Sequence, residues 1–284
     1  MSYKTIIVLL NDSAQTHNLM AASGSMALLH QAYLIGLFII PSVMVYPDWE
    51  MSAPDMIFDD YRDLIKSRVE IVRKSFDGYV QQNNLKAELR VVDSNFPQIT
   101  DGAIINSHNA DLLITSQFYD GEKQTRERGF TERLIIESAR PVLMIPQKPM
   151  PSSRNEGVSR KAIIGINGTR ESARAMFDAI PLLKTMSETR LVWVDPCQQG
   201  KDADEMLGVD EAAVLSRHGV KSVAEPMMTE GLNAGEALLR RANELGANLL
   251  VMGAYAHSRM TELVFGGATR HVRANMNIPV LLSH

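Results

Sequence analysis

Three apolar runs occur twice in this 284-residue chain, in the same order. KTIIVLL at Lys4 is echoed by KAIIGIN at Lys161, ADLLITS at Ala110 by ANLLVMG at Ala247, and RPVLMIP at Arg140 by IPVLLSH at Ile278. Each run is short, continuous and bounded by turn residues, the pattern of a strand buried on both faces of a parallel sheet. The segments between them carry helical periodicity. In Asp55 to Asn84, for example, Ile65, Val69, Val72, Phe76 and Val80 fall at helical spacing and form a stripe for core packing. Strands alternating with helices imply a parallel sheet covered on both faces and joined by right-handed crossovers. Repetition of that unit predicts an α/β protein of two tandem, doubly wound, five-stranded parallel sheets.

The first pair of runs begins 157 residues apart, at Lys4 and Lys161, and the second 137 apart, at Ala110 and Ala247. The first half therefore holds about 20 extra residues, and the segment after Ile40 is the natural place for them. Met150 to Arg160, MPSSRNEGVSR, is polar and aperiodic, as a linker is. The expected organisation is a domain over 1–147, a linker over 148–160 and a domain over 161–284. In the first half, helices are expected over Ala14 to His30, Asp55 to Asn84, Pro97 to His108 and Thr131 to Ser138. In the second they are expected over Ser172 to Thr185, Asp202 to His218, Asn233 to Leu245 and Ala268 to Asn275.

Charge and cysteine usage narrow the function classes. The formal charge is −4 with no Lys/Arg block, so a nucleic-acid surface has no electrostatic support. The single cysteine, Cys197, excludes an intrachain disulfide and a cysteine-cluster metal site, and reads as an incidental thiol. The longest apolar stretch, Tyr33 to Tyr46, is broken by Pro41 and falls short of the roughly 20 residues that span a bilayer. No signal-peptide pattern opens the chain, and the expectation is a cytoplasmic protein without a membrane partner.

The chemistry concentrates in the last forty residues. There a buried-strand run ends at Gly253, a polar segment follows, and Gly266-Gly267 precedes a helix from Ala268. A helix N-terminus after Gly-Gly offers unpaired N–H donors and a positive dipole end to an anion such as phosphate. Thr269, His257, Ser258, Arg259 and Arg270 add donors or charge nearby. The glycines by themselves favour the plainer reading, a turn and a helix cap.

The spacing resembles the universal stress protein family, whose nucleotide-binding members carry a strand followed by G-x2-G-x9-G-[ST]. Gly253 matches the first position and Gly266 the third, with nine residues between Ala256 and Gly266. Ala256 replaces the second glycine, adding a methyl where the family's backbone approaches phosphate, and Gly267 stands where Ser or Thr is expected. The family's first turn, V-D-G-[ST], corresponds to Ile166-Asn167-Gly168-Thr169, in which Asn keeps an acceptor and adds donors. The alternative role for that turn is a helix cap made by Thr169 or Asn167.

The resemblance covers nearly the whole chain and implies the adenine nucleotide alpha hydrolase-like, Rossmann-like fold in both halves. Carried over position by position, the nucleotide pocket is lined by Ile166, Asn167, Gly168, Val194, Met252, Gly253, Ala256, Gly266, Gly267 and Ala268. Val194 and Met252 meet the base, and the glycines face phosphates. The implied ligand is ATP or a related adenine nucleotide, with or without Mg²⁺, held as a regulatory ligand. No nucleophile, general base or metal cluster can be assigned from spacing, so slow ATP hydrolysis is the most catalysis expected. The competing reading is a scaffold that binds no nucleotide and contacts other proteins.

In the first half, the loop GEKQTRERGFTER lacks the family spacing, and Lys123, Arg126, Arg128 and Arg133 are balanced by Glu122, Glu127 and Glu132. No nucleotide site is expected there. The family's pairing through its last strand implies that Pro141 to Ile145 joins Pro279 to Leu282 in an intramolecular pseudo-dimer, leaving homodimerisation of the whole chain open.

Overall fold

The computed structural model describes residues 2–42, 55–117, 129–148, 160–195, 208–229, 231–254 and 267–284. Cys197, Lys123, Arg126, Arg128, Ala256, His257, Ser258, Arg259, Gly266 and nearly all of the expected linker lie outside them. Ten strands are described: β1 Thr5–Leu9, β2 Tyr33–Ile40, β3 Ala87–Asp93, β4 Leu112–Ser116, β5 Val142–Ile145, β6 Lys161–Ile166, β7 Glu188–Val194, β8 Ser222–Met227, β9 Leu249–Gly253 and β10 Val280–Ser283. The helices are α1 Thr16–His30, α2 Asp55–Asn83, α3 Ile99–Ser107, α4 Phe130–Glu137, α5 Arg170–Leu183, α6 Val209–Arg217, α7 Ala234–Glu244 and α8 Gly267–Asn275.

Two compact units divide the chain. One takes Tyr3–Ser116 and the described residues up to Arg140; the other takes Pro141 onward together with Gln117. Strand β5, expected as the fifth strand of the first half, thus groups with the C-terminal unit. In the N-terminal unit the strands run β3-β2-β1-β4, with parallel registers such as Ile6↔Leu34 and Ile6↔Leu112. The C-terminal unit runs β5-β10-β9-β6-β7-β8. All of its described pairs are parallel except β5 with β10, where Leu143 faces Leu281 antiparallel.

The apolar runs are the cores of these sheets. Ile6 to Leu10, Leu112 to Ile114, Ile163 and Ile164, Leu249 to Val251 and Val280 to Leu282 are all buried. Of the stripe on α2, Val72 and Phe76 are buried, while Leu64 and Ile71, off the stripe, are about half exposed. Among the described residues no helix is long and apolar enough to cross a membrane.

Several boundaries moved for local reasons. The helix expected from Ala14 opens as a 3-10 turn over Ser13–Gln15, because the Asp12 carboxylate accepts from Ala14 N at 3.1 Å and becomes the cap. Helix α3 starts at Ile99 rather than Pro97, with Gln98 still extended. Helix α5 starts at Arg170 rather than Ser172, since Thr169 caps it, and Pro181 is accommodated inside. Helix α7 is held on β8 by a fork in which Arg241 Nε and Nη2 donate to Glu225 at 2.9 and 3.1 Å.

His30 ends α1 and is 6% exposed, with its ring edge-on to Tyr3 at 5.0 Å and its Nε2 buried without a partner among the described residues. Burial, and then the charge of Lys4 just before β1, hold it below the ordinary 6.5. The unfolded chain therefore takes up a proton near pH 6.5 that the folded chain resists, and stability declines as pH falls through that value. Thermal unfolding at a series of pH values is expected to show Tm flat above about pH 7.5 and dropping below about pH 6.5. In the His30→Phe variant the part of the slope due to this group is expected to vanish.

Candidate functional site

In an open parallel sheet the ligand crevice lies beyond the carboxyl ends of the strands where their order reverses. In the C-terminal unit that point is between β6 and β9, since β6 continues to β7 on one side while β9 lies on the other. The residues at these strand ends are Ile166, the last of β6, with Asn167 and Gly168 after it, Val194, the last of β7, and Met252 and Gly253, the last two of β9. They are six of the ten positions singled out by the resemblance.

Register sorts them by face. Gly165 pairs with Val192 and with Met252, so these three share a face, and Val194, two residues beyond Val192, returns to it. That face is covered by α7: a Cβ on Gly165 would lie 2.8 Å from Leu238. Val194 and Met252 are 8% and 6% exposed, apolar side chains at the rim of this face. Ile166 and Gly253 point to the opposite face. Ile166 is buried there, its Cδ1 within reach of a Cβ placed on Gly208, the N-cap of α6.

Gly253 has a packing reason that involves no ligand. A Cβ on it would lie 2.5 Å from both Glu171 C and Ser172 N, the backbone of the first turn of α5. Only glycine lets β9 and α5 approach so closely. Above this contact Glu171 is 3% exposed and pairs with the exposed Arg170. Burial alone would raise the Glu171 carboxyl, but the hydrogen bond from Arg170, one from its own backbone N–H and the Arg170 charge hold it below its ordinary value.

The turn after β6 is an ordered cap. Gly168 has φ +71°, Thr169 accepts from Ser172 N at 3.3 Å, and Asn167 Oδ1 accepts from Thr169 N at 3.3 Å and from its hydroxyl at 2.9 Å. The cap reading of this turn is therefore realised, and both Thr169 and Asn167 take part. The Asn167 amide remains half-buried at the end of the central strand. Next to Val194, Asp195 adopts φ +46°, and its two carboxylate oxygens accept from Thr229 N at 2.8 Å and Thr229 Oγ1 at 2.6 Å. This clasp ties the ends of β7 and β8, and only the acid and hydroxyl themselves signalled it in the sequence.

Two helix N-termini meet at the same end. Asn233 caps α7 by accepting from Gly235 N at 2.9 Å, and its Nδ2 would lie 2.8 Å from a Cβ on Gly267, the first residue of α8. A Cβ on Gly235 would lie 2.3 Å from Ala268 O. Gly267 is exposed, Ala268 half-buried and Thr269 buried. The last turn of α8 is fastened by Gln117, which the sequence did not single out: its Nε2 donates to Arg273 O at 2.8 Å and Ala274 O at 3.3 Å, and its Oε1 accepts from Gln147 N at 3.3 Å.

The N-terminal unit differs at each of these places. Asn11, after β1, commits both ends of its amide to Ile39 of β2, donating to its O at 2.6 Å and accepting from its N at 3.0 Å. Ser116, the partner of Gly253 in the repeat, is 1% exposed. Arg133 is held by Glu137, Asp101 and Gln98, and the hydrogen bonds from Glu137 and then Asp101 raise its pKa. Among the described residues of the whole chain, no group of three or more His, Cys, Asp or Glu side chains is placed to hold a metal.

Comparison with known proteins agrees with this layout. Residues 159–284 match the universal stress protein family profile. A 151-residue stretch is 29% identical to a universal stress protein of Synechocystis; the match covers 53% of this chain and 49% of that relative, so the chain spans about half its length. Among solved structures, a universal stress protein of Archaeoglobus fulgidus superposes with TM-score 0.68 at 16% identity, covering 98% of this chain and 97% of that one. A Pseudomonas aeruginosa protein of unknown function superposes with TM-score 0.62 at 13% identity, covering 99% and 92%. At these identities the structural likeness shows the fold.

Proposed function

We propose, for a chain whose residues 159–284 match the universal stress protein family, that its C-terminal domain binds a nucleotide, ATP or a relative, as a regulatory ligand. The observation that supports this best is the convergence of the α7 and α8 N-termini at the carboxyl end of the sheet, where Gly235 lies against Ala268. Two positive dipole ends and their first-turn N–H groups meet there, an arrangement suited to phosphate. Val194 and Met252, on the face that α7 covers, supply apolar surface for a base. Ala256 and Gly266 belong to the same proposed pocket on sequence grounds alone. A Mg²⁺ ion would arrive with the phosphates.

The experiment is thermal unfolding of nucleotide-free protein with and without Mg-ATP, beside the variant Ala268→Asp. Ligand at a hundredfold excess over Kd stabilises by about 2.7 kcal/mol, a shift of several degrees. An acidic residue in the first turn of α8 favours the helix and repels phosphate, so the variant is expected to melt no lower than wild type and to lose the shift. Absence of a shift in wild type would turn the reading to the scaffold, a protein whose glycines serve helix packing and whose paired halves present surfaces to other proteins.

A further inference from the structure

The turn after β6 fixes which way the Asn167 amide faces. A backbone N–H only donates, so the atom that receives Thr169 N must be the oxygen, and the Thr169 hydroxyl reinforces it from 2.9 Å. The NH2 group is left turned away, with no partner among the described residues. Whatever occupies the end of β6 therefore meets a pair of donors and no acceptor from this side chain. Its neighbours are apolar or already engaged: Ile166, Val194 and Met252 are apolar, the Thr169 hydroxyl donates to Asn167, and each Asp195 oxygen already accepts from Thr229. Asn167 thus carries a side-chain donor group without a partner among the described residues at the ends of β6, β7 and β9.

We propose that Asn167 sets the base preference of this site, selecting a purine that presents a 6-oxo acceptor over one that presents a 6-amino donor. The inference rests on the nucleotide reading above and deepens it. An amine opposite the Asn167 NH2 group places donor against donor in a half-buried crevice, whereas a carbonyl completes a hydrogen bond. The apolar side chains of Val194 and Met252 suit the ring of a base, which puts the Asn167 donors beside a base edge.

The test compares binding of ATP and of inosine triphosphate, which carries a 6-oxo group on the same ribose triphosphate, to the full-length nucleotide-free protein by calorimetry. Inosine triphosphate is expected to bind about five- to tenfold more tightly than ATP. Asn167→Asp retains an oxygen for Thr169 N and puts a second acceptor where the NH2 group stood, so the ratio is expected to reverse in favour of ATP. The added charge acts on both triphosphates alike, which leaves the ratio as the readout. Binding of both with ATP equal or tighter in wild type, or an unchanged ratio in the variant, overturns the assignment while leaving nucleotide binding in place. Binding of neither overturns the nucleotide reading and this inference with it.

Discussion

Gly253→Ala is expected to cost about 3 kcal/mol, a fall of about 10 °C in Tm, with or without nucleotide present. The added methyl would stand 2.5 Å from two backbone atoms of α5, and no rotamer change relieves a clash with backbone. Either β9 or the capped first turn at Thr169 to Ser172 must move. Gly267→Ala is the matched control. Among the described residues its methyl meets only Asn233 Nδ2, the end of a side chain, and alanine favours the helix there, so its Tm is expected to stay within about 2 °C of wild type. Differential scanning calorimetry of both variants without ligand separates the two roles. Equal tolerance at 253 and 267 would mean that the close packing of β9 on α5 is not present in solution.

That contrast shows how far residue patterns carry here. The buried runs were legible because a strand covered on both faces is apolar throughout, and the strands were found within about two residues of their described ends. The helix over Asp55 to Asn83 was legible from its stripe, whose Val72 and Phe76 are buried. Helix starts were less so: Thr169 and Asp12 shift them by capping, which depends on φ and ψ at one residue and not on periodicity.

At the site, spacing picked out Gly253 but not its reason, because close approach of α5 is a tertiary contact with no local signature. The direction of the Asn167 amide was equally hidden. As a residue type asparagine offers both an acceptor and donors, and only the turn geometry shows that the acceptor is spent on Thr169. Gln117 was passed over because a polar residue after a strand ordinarily reads as loop. Burial to 4% exposure and three hydrogen bonds to backbone make it a fastening for α8.

Pairing of β5 with β10 leads to the other large effect. Leu143 and Leu281 are register partners and both fully buried, so replacing either with alanine is expected to cost about 3 kcal/mol, measured by urea denaturation. The double variant is expected to cost less than the sum of the two by at least about 0.5 kcal/mol, since the second truncation removes contacts already lost to the first. Leu143 precedes the polar segment that reads as a linker, yet it groups with the C-terminal unit. Additive costs would show that the two strands do not pair in solution, and a neutral Leu143→Ala would remove β5 from the C-terminal sheet. Strong coupling would instead mean that β10, whose run Val280 to Ser283 is buried throughout, has its free edge covered by a strand from the other half of the sequence, which leaves the edge no reason to recruit a second molecule.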